Sequence, residues 1–308
     1  MMRREDKEDR APSSGPFAKR PALGKGIAQS LARWTYAQCE PTVQERLDQL
    51  HLSSLNEFGT DAFGFDPEFT KAAIAPFVWL YQRYFRVETQ GIENLRGGRL
   101  LLVGNHSGQI PIDASMVGLA AFLEADPPRV IRSMYERWVP RLPYISIFMQ
   151  RVGQVIGTPA NCKKLLEQEQ CILVFPEGAR GVTKPFRKRY RLEPFGLGFM
   201  RLALETATPI VPVAIIGAEE QYISIGNLET LAKTLGLPGL PVLPQLLIPL
   251  LGWAPLPTKY RIRFGDPMYF TGDPDDEDAE IEKKALIVKE RIESLLAHGL
   301  EQRRSVFF

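Results

Sequence analysis

The sequence predicts an α/β protein: a central sheet with helices packed on it, an N-terminal helical extension and a closing C-terminal helix. Three observations carry this. Short apolar β-type runs occur at Leu100–Val103, Arg129–Ser133, Cys171–Phe175, Ile210–Ile216 and Tyr260–Phe264. Segments with helical spacing lie between most of them, at Ala114–Phe122, Asn161–Gln168 and Phe195–Glu205. Two of the apolar runs open directly onto glycine-containing polar strings, Gly104-Asn-His-Ser-Gly-Gln-Ile-Pro-Ile-Asp113 and Val174-Phe-Pro-Glu-Gly-Ala-Arg180. That is where such a sheet places chemistry, because ligands bind outside the carboxyl ends of the strands.

Residues 1–21 carry charges of both signs and lack the apolar core of a signal peptide, so they read as a disordered tail. A helical extension is expected over 22–74. Its polar helical part (23–58) is broken by Gly59-Thr-Asp-Ala-Phe-Gly-Phe-Asp66. A densely apolar helix then spans Glu68 to Phe85, with a kink expected at Pro76. The main domain is expected over 75–270. In the remainder, 271–308, Ile281, Ala285, Val288, Ile292, Leu295 and Leu296 form a stripe at helical spacing from Asp276 to Ala297, which reads as a face packed on the domain.

A formal net charge of +2, with 24% charged residues, gives no global nucleic-acid signature. Cys39, Cys162 and Cys171 are odd in number and show no metal-ligand spacing, so no metal is expected. Reduced thiols and a cytoplasmic location fit best. Between Lys233 and Lys259 no residue is charged, which is long enough for a membrane span. Pro238, Pro241, Pro244, Pro249, Pro255 and Pro257 argue against one, since each removes a backbone donor. A core loop and a membrane-contacting surface segment both stay open.

His106 is the best general-base candidate of the three histidines; His51 lies in a polar stretch and His298 near the end of a charged helix. On one unbroken helix, His106 and Asp113 would stand roughly 10 Å apart along the axis. Gly108 and Pro111 point instead to a loop with a helix starting near Pro111, which folds His106 back onto the carboxylate. Asp113 would then fix the imidazole tautomer. A structural histidine at a strand–helix junction is the competing reading. Ser107 is misplaced for a Gly-x-Ser-x-Gly nucleophile elbow, so a base acting on the substrate's own hydroxyl is preferred.

In the second string, Pro176 ends the strand and Gly178 permits a tight turn, which projects Glu177 and Arg180 near the same crevice. Lys184, Arg187, Lys188, Arg189 and Arg191 follow closely. Such a run serves as a solvated face, a phosphate site beside Arg180, or a contact for anionic lipid headgroups. Phe195-Gly-Leu-Gly-Phe199 lacks the third glycine of a dinucleotide fingerprint.

These strings resemble the blocks of the glycerolipid acyltransferases, the lysophosphatidic-acid-acyltransferase-like enzymes. Asn105-His106 and Phe175-Pro-Glu-Gly-Ala-Arg180 match that family's first and third blocks, and Ile210-Val-Pro-Val213 its fourth. The likeness covers roughly residues 75–270. Six residues rather than four separate His106 from Asp113, an expansion similar to the diacylglycerol-acyltransferase-like branch. The second block, Gly153-Gln-Val-Ile-Gly-Thr-Pro159, has no clear counterpart of the phosphate-binding arginine.

The resemblance implies a mostly parallel central sheet and transfer of a fatty acyl group from acyl-CoA or acyl-carrier-protein to a lipid hydroxyl. In it, His106 deprotonates the acceptor, Asp113 orients His106, and Asn105, Glu177, Gly178, Arg180 and Lys184 bind substrate. No cofactor, metal or acyl-enzyme is implied. Arg180 and the basic run place lysophosphatidate ahead of diacylglycerol or another neutral acceptor. A catalytically inactive lipid-binding protein and a thioester hydrolase are the rival classes. The expected partners are the acyl thioester, the lipid acceptor and a membrane surface, with no nucleic acid. The expected location is the cytoplasmic face of a membrane, held peripherally by the 234–258 stretch together with the basic run.

Overall fold

Seven strands form one sheet in the order β1-β9-β6-β2-β5-β3-β4. They are β1 (Glu88–Gln90), β2 (Leu100–Gly104), β3 (Ile131–Tyr135), β4 (Val155–Ile156), β5 (Cys171–Val174), β6 (Ile210–Ile216) and β9 (Arg261–Phe264); β7 (Gly226–Asn227) and β8 (Pro241–Val242) pair separately. The helices are α1 (Pro41–Asp48), α2 (Pro67–Trp79), α3 (Ile112–Glu124), α4 (Pro143–Arg151), α5 (Pro159–Glu167), α6 (Ala179–Val182), α7 (Gly198–Glu205), α8 (Glu229–Thr234) and α9 (Asp278–Gln302). This computed structural model describes residues 36–37, 39–48, 55–106, 112–234, 239–248 and 251–308. The expected tail over 1–21 and most of the expected helix over 23–58 lie outside them. Of that helix the described residues show α1, and 55–58 form a turn region rather than helix.

The sheet is parallel except where β9 runs antiparallel to β6, and β1 pairs parallel with β9. Its centre is buried on both faces, which is why β2 and β6 read as unbroken apolar runs instead of alternating ones. Leu100 and Leu102 enter a core shared with α2 and α3, while Leu101 and Val103 enter a second core beneath α5, α7 and α9. Along β6 the same division separates Val211, Val213 and Ile215 from Ile210, Ala214 and Ile216. The α9 stripe packs as its spacing predicts, with Ile281, Ala285, Val288, Ile292 and Leu296 buried.

Asp66 caps α2 by accepting from the Phe69 N–H at 2.9 Å. The helix continues through Pro76 and then widens into a π turn at Leu80–Tyr84. The uncharged stretch before Lys259 forms β8 and two 3-10 turns, Pro244–Leu247 and Leu251–Trp253. Among its described side chains Leu247 is 85% exposed and Trp253 70%, while Thr258 is buried. Among the described residues no helix is long and apolar enough to cross a membrane.

Candidate active site

β2 ends at Gly104, and the two residues after it divide their tasks. Asn105 is fully buried. Its Nδ2 donates to the Ile215 carbonyl at 3.0 Å, and its Oδ1 accepts from the Ile215 N–H at 2.7 Å, so the side chain ties β2 to β6. The residue expected to contact substrate thus has both amide atoms engaged by backbone. His106 faces the other way. Its Nδ1 lies 2.8 Å from Asp113 Oδ2, and the carboxylate is wholly buried in the first turn of α3, where Oδ1 also accepts from the Ala114 N–H. The helix starts at Ile112, so the chain returns the carboxylate to the imidazole as the Gly108 and Pro111 spacing predicts. Ser107 and the rest of that loop, 107–111, lie outside the described residues.

The imidazole stacks on the Phe175 ring, with centroids 4.1 Å apart and planes 9° from parallel. Asp113 on Nδ1 and Phe175 on one face leave little freedom in the orientation of Nε2. Among the described residues no hydrogen-bond partner occupies Nε2. A cleft of about 330 Å³ opens here, walled largely by apolar side chains: Met134, Tyr135, Val174, Phe175, Phe199 and Leu202. Cys162 also lines it, but burial pushes that thiol up to about 11, which keeps it protonated and poorly nucleophilic. A smaller apolar cavity of about 120 Å³ lies between α2, α3 and α4 and does not include His106.

At the end of β5 the second string turns inward. Gly178 adopts φ 56°, ψ −146°, a region that essentially only glycine occupies. This turn sends the Glu177 side chain under His106. Glu177 Oε1 accepts from the His106 backbone N–H at 2.9 Å, and Oε2 accepts from the Glu193 N–H at 2.8 Å and from Lys184 Nζ at 3.3 Å. Lys184 also reaches Glu219 Oε1 at 3.3 Å and the Arg191 carbonyl at 3.0 Å. All three side chains are at most 5% exposed. Lys184 is therefore a buried counterion of Glu177 and Glu219, not part of a basic surface. Glu177 likewise supports the histidine backbone and does not face the cleft. Burial raises the Glu219 carboxyl to about 7 despite the neighbouring ammonium.

Gly178 does line the cleft, near Glu136. Arg180 is exposed, and its guanidinium donates to the Pro194 carbonyl at 2.7 Å. Two residues that matter here carry no motif of their own. A Cβ on Gly181 would stand 2.9 Å from Glu177 Cβ and 3.0 Å from His106 Cβ, so glycine is what lets α6 pack against the site. Glu219 completes the buried cluster; its signal in the sequence is a carboxylate pair, Glu219-Glu220, following an apolar strand. Among the described residues no group of His, Cys, Asp and Glu is arranged to hold a metal ion.

A family model described as Acyltransferase matches residues 86–216, which contain His106, Asp113, Glu177 and Arg180. An uncharacterised protein of Mycobacterium leprae is 39% identical over 262 residues, 82% of this chain and 71% of its own. The chain belongs to the acyltransferase family. It is accordingly an acyltransferase. More distantly, a Gallus gallus protein named as a DGAT1/2-independent enzyme synthesizing storage lipids is 24% identical over 65% of this chain and 57% of its own. A 1-acyl-sn-glycerol-3-phosphate acyltransferase of Limnanthes alba is 28% identical over 46% of this chain and 48% of its own. The crystal structure of the LPA acyltransferase PlsC from Thermotoga maritima aligns over 91% of this chain and 90% of that one, at 17% identity and a TM-score of 0.49. At that level the likeness adds no weight to the assignment.

Proposed function

We propose that the chain transfers a fatty acyl group from an acyl thioester to the hydroxyl of a glycerolipid, with His106 as general base. The observation that carries this is the His106–Asp113 bond of 2.8 Å beside an apolar-walled cleft. Asp113 holds a proton on Nδ1, which leaves Nε2 to accept one. As Nε2 takes the proton of the acceptor hydroxyl, its oxygen attacks the thioester carbonyl. The C–O bond forms, the C–S bond breaks, and the departing thiolate recovers the proton from the imidazolium that Asp113 stabilises. No residue of the chain needs to carry the acyl group.

The cleft favours a neutral acceptor such as diacylglycerol. Of the cations that follow the second string, Lys184 is consumed by Glu177 and Glu219. Among the described residues the cleft is lined by no lysine or arginine and by one carboxylate, Glu136, which repels a phosphate. The name of the chicken relative points the same way. Lysophosphatidate is the second reading, carried by Arg180, whose exposed guanidinium belongs to α6, the helix that Gly181 packs against His106. Labelled acyl-CoA offered with diacylglycerol, with lysophosphatidate or with no acceptor separates the readings. Triacylglycerol should form fastest. Free fatty acid released at one rate in all three mixtures would identify a hydrolase, and no product in any would identify a binding protein.

The same reading requires access to a membrane. Apolar side chains exposed at Ile225, Leu228, Leu247, Ile248 and Trp253 lie beyond the end of β6, and Gly239 packs against Thr183 just after Arg180. The Phe186 N–H donates to the Ser224 carbonyl at 2.8 Å, which sets exposed Arg187, Lys188 and Arg189 beside this apolar surface. Stable association commonly takes two such contributions. The protein is thus proposed to sit peripherally on the cytoplasmic face, pelleting with anionic liposomes and partly released by high salt. Leu247→Asp with Trp253→Ala should weaken pelleting at an unchanged Tm; unchanged pelleting would remove this surface from the account.

A further inference from the structure

A second pocket, about 310 Å³ in volume, lies at the other end of the strand order, against β1 and β9. It shares no lining residue with the His106 cleft. β6 stands between β9 and β2, so two strand spacings, roughly 10 Å, separate its nearest wall from β2 across the sheet. Its walls include the cationic side chains of Lys259, Arg261, Arg263 and Arg304, one acidic side chain, Glu88, and the main chain of Phe308.

Arg261 and Arg263 are two apart on β9 and so point to the same face of the sheet. Glu88 is shared between two of the cations, at 2.5 Å from Lys259 Nζ and 3.4 Å from Arg261 Nε, and it is itself more than half exposed to water. Arg263 is buried and is met by the amide oxygen of Gln302, a neutral group. Among the described residues no carboxylate lies within ion-pair distance of Arg263 or Arg304. Arg261 Nη2 donates to the Phe308 backbone oxygen at 3.2 Å, while its Nη1 is buried without any partner. Burial, and then the neighbouring Arg261, hold the Arg263 guanidinium below the usual arginine range.

Buried guanidinium donors are ordinarily paired, because leaving one unmatched in a protein interior is costly. Here three arginines and a lysine converge on open volume with one screened acidic side chain and one main-chain oxygen among them. We propose that this pocket is a binding site for a phosphate-bearing anion, seated on Arg261, Arg263 and Arg304. Phosphate suits it better than a carboxylate, since its oxygens can accept from several guanidinium forks at once. The site does not depend on the acyl-transfer chemistry, and binding alone tests it.

The experiment is calorimetric titration of the full chain with inorganic phosphate, with coenzyme A and with dioctanoyl phosphatidic acid, at ionic strength matched with chloride. At least one should bind, and which one does distinguishes a free ion, a phosphorylated donor and a lipid headgroup. Arg304→Ala and Arg263→Gln should each weaken that binding about tenfold or more, the loss expected for one charge-assisted bond. Arg304 is exposed, so its variant keeps the test decisive if Arg263→Gln fails to fold. The proposal is overturned if none of the three binds beyond the chloride control. It is equally overturned if binding survives unchanged in folded Arg304→Ala.

Discussion

At the end of β2 the His106 imidazole reaches the cleft with 14% of its side chain exposed, whereas at the end of β5 the Glu177 carboxylate turns away and is fully buried. Both ends carry an apolar run followed by polar residues and glycine, and in sequence both look like groups presented to substrate. The difference lies in the turn. Beyond β2, Asp113 in the first turn of α3 stands 2.8 Å from the His106 ring nitrogen. After β5 Gly178 folds the chain back on itself, so Glu177 clamps the backbone that carries His106. On the proposed reading, one end performs chemistry and the other fixes where it happens. Charged residues at a strand end are therefore assigned by what their atoms touch, not by their proximity to a motif.

Paired substitutions break this comparison most forcefully. Asp113→Asn keeps the shape of the buried side chain but mismatches the tautomer, and turnover should fall about 10²–10⁴-fold with little change in Tm. Lys184→Met should do the reverse: two buried carboxylates lose their cation, at about 3–5 kcal/mol of stability. Steady-state kinetics and thermal melts on both variants check the split, and it fails if Lys184→Met lowers turnover while leaving Tm untouched. Gly181→Ala lies between them. The added methyl meets both His106 and Glu177, so turnover should drop about 10²-fold through misplacement, with about 1–3 kcal/mol of lost stability from overpacking.

The smallest effect concerns Glu219. Its folded pKa of about 7 lies above its ordinary 4.5, so the folded state holds a proton that the unfolded state has released between those values. Stability from this group is therefore full below about 4.5, declines as pH rises, and is lost above about 7. Glu219→Gln should flatten that decline, so that the variant gains on the wild type between pH 5 and 8 in denaturant titrations. A parallel pH dependence in the two proteins would place the titrating group elsewhere.

Much of the frame was legible. β2, β5 and β6 lie within a residue or two of their apolar runs, because strands buried on both faces read as continuous apolar sequence, while β9 shows instead as an alternation, Arg261-Ile-Arg-Phe264. β1 and β4, of three and two residues, are too short to show a period. α4 escaped notice for a different reason: Tyr144, Ile145 and Ile147 are exposed, so its apolar residues do not trace a core-facing stripe. In the site, the pairing of His106 with Asp113 followed from where glycine and proline permit a loop. The burial of Glu177 and Lys184 did not, since it depends on a turn whose direction only the fold sets. Glu219 is brought in by the 3-10 turn Ala218–Glu220 that follows β6, over forty residues downstream of Glu177, and no local pattern announces that contact.

The central claim is that His106 removes the acceptor proton. Its most direct test is triacylglycerol formation from labelled acyl-CoA and diacylglycerol by His106→Ala, with Tm measured on the same preparation. Loss of a positioned base should lower the rate about 10²–10⁴-fold while the chain stays folded, since the ring lies at the cleft wall. A folded His106→Ala protein that forms ester at near the wild-type rate would contradict the account.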